Sequence, residues 1–96
     1  MSEEQSFTEI MTTTWEGLVP HSKKDRILLV SLDLDLKDVA KVMAEDKVDT
    51  IKSWLTQELL KKPKEENIAT FEKAEGLEFN FIIVQPWVLV QEKTQS

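Results

Sequence analysis

Apolar positions recur along this chain in two rhythms. At its start Phe7, Ile10, Met11, Trp15 and Leu18 return at three- and four-residue steps, the spacing of one helical face. Ser6-Phe7-Thr8-Glu9 has the form of a capping box, and Gly17 with Pro20 closes the predicted helix. The rhythm then changes. Residues 26–32, Arg26-Ile27-Leu28-Leu29-Val30-Ser31-Leu32, read as a strand whose uninterrupted apolar middle is buried on both faces. Asp35 is a good N-cap for a second helix, with Leu34 and Val39 placed as a hydrophobic staple and Leu36, Val39, Ala40 and Met43 as its buried stripe.

That second helix is expected to end near Glu45. A third opens at Asp46 or Lys47, with Val48, Ile51, Leu55 and Leu59 on one face and Trp54 beside them. Pro63 redirects the chain into a polar fourth helix over 64–75, whose apolar side is Ile68, Ala69 and Phe71 and whose C-terminal cap is Gly76. Residues 77–84 alternate as a strand should before turning apolar on both sides, and 87–91 resume in strand composition. Gln85-Pro86 between them is either a tight hairpin connection or a bulge in one bent strand.

Helix, strand, helix, helix, extra helix and hairpin is the element order of a winged helix-turn-helix. The pair at 35–60 has the matching local grammar: Ala40 on the first helix, a polar turn through Glu45 to Lys47, and Ile51, Trp54 and Leu55 facing back. The expected fold is therefore a single α+β domain over residues 1–96 with its core at about 6–92. Its winged-helix-like helix pair packs on a three-stranded antiparallel sheet of 26–32, 77–84 and 87–91.

Composition narrows the function classes. Twelve basic and eighteen acidic residues give a net charge of −6, which opposes non-specific attachment to nucleic acid or anionic membrane. Residues 26–62 carry seven basic and seven acidic side chains and so are neutral as a block. A DNA reader wants a stripe of Lys and Arg, and this chain has a single arginine, Arg26. The absence of cysteine removes disulfides, thiol catalysis and zinc-finger schemes; two glycines are too few for a phosphate-cradling loop. No apolar run approaches a membrane span, and the acidic Met1–Gln5 start is unlike a secretory signal, so a cytoplasmic protein is expected.

The chemical candidates are few. Asp33, Asp35 and Asp38 cluster like ligands for a hard cation, yet the glycine bend and closing glutamate of a calcium loop are missing, so helix capping explains them better. Glu45, Asp46 and Asp49 lie in a polar turn where solvation, not a shared buried proton, is expected. His21 has neither a nucleophile elbow nor an oxyanion glycine cluster near it and reads as an exposed loop residue. Trp15 and Trp54 belong to apolar stripes. Trp87, next to Pro86, reads either as packing against the first helix or as an anchor for another chain. The exposed side of the third helix offers Asp49, Lys52, Ser53, Thr56 and Gln57.

Several of these stretches resemble one family. They are Leu34-Asp35-Leu36 leading to Val39-Ala40, the Ala44-Glu45-Asp46 turn, Trp54-Leu55 with Leu59-Leu60, and Pro86-Trp87-Val88-Leu89-Val90-Gln91-Glu92. Together they are similar to a small bacterial family, found in cyanobacteria and proteobacteria, that is catalogued as a domain of unknown function. The resemblance spans about residues 8–92, and the Pro-Trp-Val-Leu-Val-Gln-Glu box is its most specific part. Members usually carry glycine where this chain has Glu58, and often tryptophan at the position of Phe71. The resemblance implies a self-contained cytosolic bacterial domain and brings no activity, cofactor or catalytic residue.

The readings rank accordingly. First is a non-catalytic protein-interaction domain that binds an unidentified protein partner or a second copy of itself. Its candidate surface is Trp87, Pro86, Lys47, Lys52, Ser53, Thr56 and Gln57. Second is a winged-helix DNA-binding or transcription-associated protein touching DNA through residues 47–57. An enzyme using carboxylates ranks last. No catalytic residue, cofactor, metal or membrane partner is assigned.

Overall fold

The computed structural model describes residues 10–93. The capping box at Ser6–Glu9 and the stripe residue Phe7 lie outside the described residues. The elements run β1 (Met11–Thr14), α1 (Trp15–Lys23), β2 (Ile27–Val30), α2 (Leu36–Ala44), α3 (Val48–Thr56), β3 (Leu60–Lys61), α4 (Glu65–Lys73), β4 (Glu78–Val84) and β5 (Trp87–Glu92).

The five strands form one mixed sheet in the order β1-β4-β5-β2-β3. The β4–β5 hairpin is antiparallel and Val84 pairs with Trp87, so Gln85-Pro86 is a two-residue turn, with a cis peptide bond at the proline, and not a bulge. β1 and β3 also pair antiparallel with their neighbours. The central pair differs: β2 runs parallel to β5, with Ile27 opposite Val88 and Leu29 opposite Val90.

This pairing corrects two expectations. The sheet is five-stranded and mixed, not three-stranded and antiparallel, and the winged-helix arrangement is not matched. The physical reason lies in the central strands. Ile27, Leu28 and Val30 on β2 and Val88, Leu89 and Val90 on β5 are all buried. Successive strand residues point to opposite faces, so both faces need a cover. α2 and α3 cover one face, over Leu28, Val30, Leu60, Ile82 and Leu89. α1 and α4 cover the other, where Trp15, Leu18, Phe71, Phe79, Val88 and Val90 cluster. Trp15, Phe71 and Phe79 meet there with ring centroids 5.0–5.9 Å apart.

The start of the chain is a further correction. Residues 11–14 are an edge strand, not helix, and α1 begins only at Trp15, then continues through Gly17 and Pro20 to Lys23. Three consecutive threonines favour a strand, and pairing with β4 decides it. Gly17 does not end the helix. It allows α1 to fold back on β1, since a Cβ there would overlap the Thr13 hydroxyl. His21 accordingly lies in the last turn of α1 and is half-buried.

The other helix ends are specific. Asp35 caps α2, its Oδ1 accepting from the Lys37 amide at 2.8 Å. α1, α2 and α3 all end in the same hydrogen-bond pattern, with the residue beyond the cap in the left-handed region. Those residues are Asp25, Asp46 and Glu58, at φ 59°, 58° and 61°. In each case the next amide reaches back five residues: Arg26 to His21, Lys47 to Val42 and Leu59 to Trp54, at 2.9–3.2 Å. Asp46 therefore closes α2 and does not open α3. Gly76 also has positive φ, but in the turn past Ala74, the cap of α4.

Candidate functional site

α3 is attached to the fold by one side only. Ile51 and Trp54 pack against the α2-side core, yet no residue of this nine-residue helix is buried. Its apolar stripe continues outward through Val48, 48% exposed, and Leu55, 45% exposed. Helical spacing sets Val48, Ile51 and Leu55 on one face, with Lys52 alongside them and Ser53 and Gln57 round the helix. Gln57 donates to the Ser53 hydroxyl at 2.8 Å, so those two side chains satisfy each other.

Opposite α3 stands the β4–β5 turn. Because Trp87 pairs with Val84 and lies two residues before Leu89 on the same strand, its side chain faces the α2 and α3 layer with Leu89. It does not pack on the first helix, as one reading of the sequence had it. Trp87 is half-buried, and the Lys62 ammonium lies 5.8 Å from its ring centroid. The same ammonium pairs with Asp25 at 2.9 Å. An open cleft of about 530 Å³ lies between helix and turn. Leu28, Leu60, Met43, Ile51, Leu55, Val84 and Trp87 give it an apolar lining, and Asp46, Lys62, Gln85 and Pro86 add polar and turn groups.

The structure thus brings together two parts of the surface named from the sequence. Pro86 and Trp87 line the cleft, and Lys52 flanks the stripe that lines its far side. Lys47, at the helix start, is paired with Glu45 at 3.1 Å. Thr56 is exposed, and Ser53 and Gln57 lie away from the stripe. The sequence reading missed Val48, Ile51, Leu55, Met43 and Lys62 as surface. Periodicity identified the stripe but says nothing about what covers it.

The remaining candidates resolve into structure. Asp35 is the α2 cap, and Ser31 Oγ accepts from the Asp33 amide at 3.1 Å. No group of three or more His, Asp or Glu side chains among the described residues is placed to hold a metal ion. No polar or charged residue is among the buried ones described. A second groove of about 400 Å³ runs beside α4 on the opposite sheet face, over Leu29, Phe71 and Val90, with Glu58, Lys61, Asn67 and Thr70 also lining it. No described helix is long and apolar enough to cross a membrane.

Four helices in two layers about a mixed five-stranded sheet define an α+β protein with an apolar cleft on one side. The chain belongs to the family described as Protein of unknown function (DUF2288), whose model matches residues 3–92. It is also similar to the NMR solution structure of PA1075 from Pseudomonas aeruginosa, at 29% identity and a TM-score of 0.80, over 91% of this chain and 80% of that one. No curated protein matches it. Neither likeness points to catalysis or to DNA binding.

Proposed function

We propose that this chain is a non-catalytic protein-interaction domain of the bacterial cytosol, a single unit that binds through α3 and the cleft beside it. The observation that carries the reading is the exposed stripe of α3. A helix keeps an apolar face in a folded protein when something covers it, and among the described residues Val48 and Leu55 are left about half exposed. Trp87 adds an aromatic side chain at the opposite wall, the residue type that most often anchors protein interfaces. The similar structure from Pseudomonas aeruginosa supports the bacterial setting.

The test is site-specific photo-crosslinking in cells that express the chain. A benzophenone side chain in place of Leu55 is expected to form a protein adduct, whereas the same group in place of Gln57, on the other side of α3, gives none. Equal labelling from both positions, or none from either, removes this surface from the reading.

A further inference from the structure

From the charges bordering α3 we infer that the occupant of this surface is a second copy of the chain, bound with the two α3 helices antiparallel about a two-fold axis. The inference rests on the interaction reading above and names its partner. A two-fold interface sets one patch against itself, so a rim of a single sign repels itself and a mixed rim does not. The block from residue 26 to residue 62, which contains α3 and much of the cleft, holds seven basic and seven acidic side chains in a chain of net −6. Within α3 the only charged side chains are Asp49 and Lys52, one of each sign, so the border of the exposed apolar stripe is mixed in sign.

The balance has a geometry. Asp49 and Lys52 lie on the same flank of the stripe, both exposed, and neither is in an ion pair among the described residues. In an antiparallel pair centred between Ile51 and Lys52, the same flanks of the two helices face each other. Val48 then packs against the partner subunit's Leu55, and Asp49 lies alongside the partner subunit's Lys52. Symmetry repeats both contacts, which gives two apolar and two ionic contacts from one short helix. A stable interface buries about 800 Å² per partner, roughly an eighth of this chain's 6309 Å² surface. A nine-residue helix about 14 Å long supplies only part of that area. The adjacent cleft wall at Pro86 and Trp87 adds to it.

Sedimentation of the full chain across a concentration series tests this directly. The wild type is expected to dimerise. Lys52→Asp or Asp49→Lys, each placing like charges opposite each other twice, is expected to raise the dissociation constant by about tenfold or more. The double variant Asp49→Lys with Lys52→Asp restores it, and circular dichroism confirms that each variant is folded. The chain has no cysteine, so orientation is read by mixing Val48→Cys and Leu55→Cys proteins. Antiparallel packing gives the mixed disulfide in preference to either like-with-like product. A monomeric wild type, a dimer indifferent to charge reversal, or like-with-like disulfides alone would each overturn the inference. If the wild type is monomeric while the Leu55 photo-crosslink captures a different protein, the interaction reading survives and only the identity of the occupant falls.

Discussion

At the scale of single residues, the unusual feature is three acidic side chains in a backbone conformation that favours glycine. Asp25, Asp46 and Glu58 each follow a helix cap with positive φ. The left-handed region costs an L-residue about 1–2 kcal/mol, and aspartate tolerates it better than glutamate does. Each carboxylate also stands at the negative end of a helix, which costs about 0.3–1 kcal/mol when exposed. Glu58 bears the full penalty, whereas Asp25 recovers part of it through Lys62. Glu58→Gly is therefore expected to stabilise the protein by about 1 kcal/mol, after the greater entropy of glycine in the unfolded chain is subtracted. Urea denaturation measures it. Asp46→Gly should gain less, and Glu58→Ala, which removes the charge and keeps the strain, should recover only the electrostatic part. A midpoint unchanged by Glu58→Gly would mean that the turn bears no such strain. The same substitution pattern blurred the helix ends in the sequence, because the usual glycine stop was missing from three of them.

At the scale of elements, the box that ends the chain has a structural meaning. Trp87, Val88, Leu89 and Val90 alternate between the two cores, and Gln91 ties a neighbouring loop to the strand. Its Nε2 donates to the carbonyls of Ser31 and Leu34, both at 2.8 Å. These carbonyls belong to the segment that leads into α2, so one amide fixes where that helix starts relative to β5. Gln91→Ala strands two partly buried acceptors and is expected to cost about 1–3 kcal/mol. Gln91→Glu should cost more, since it sets a carboxylate against the same two oxygens. Thermal unfolding of the two variants distinguishes them, and equal losses would assign the effect to packing instead. The box was legible as a strand, as were β2 and β4 from their apolar runs, α2 and α3 from their periods and the Asp35 cap, and α4 from its helix-prone composition between Pro63 and Gly76. β1 was not legible. Ile10, Met11, Trp15 and Leu18 fall on a helical period although Met11 and Trp15 belong to different elements, and the Thr12–Thr14 run was the signal that outweighed it. β3 spans two residues, too few for any period to register.

At the scale of the whole molecule, topology follows from a requirement the sequence already contained. Two central strands apolar on both faces need two helical layers, which a sheet covered on one side cannot provide. Periodicity showed that need but could not show that β2 joins β5 in parallel, since the pairing spans about sixty residues of chain. The site was half legible for the same reason: Trp87 and Lys52 could be named singly, but not the cleft that joins hairpin turn and helix. One consequence distinguishes α3 from the rest of the fold. α2 and α3 are both nine residues long, yet α2 fully buries Leu36, Val39 and Ala40, whereas α3 only partly buries Ile51 and Trp54. Opening α3 therefore exposes less apolar surface, and its amides should exchange through openings cheaper than global unfolding, while those of α2 follow the whole domain. Association through α3 reverses this, because each opening must then break the interface, and binding to the closed form alone adds protection as concentration rises. Hydrogen exchange on wild-type protein at low and high concentration is expected to show α3 slowing selectively. Leu55→Lys, an exposed substitution expected to change monomer stability by no more than about 0.5 kcal/mol, should abolish that slowing and leave dilute-solution exchange nearly unchanged. If α3 were as protected as α2 at the lowest concentration, its stripe would already be covered within one chain, and the case for an occupant would fail.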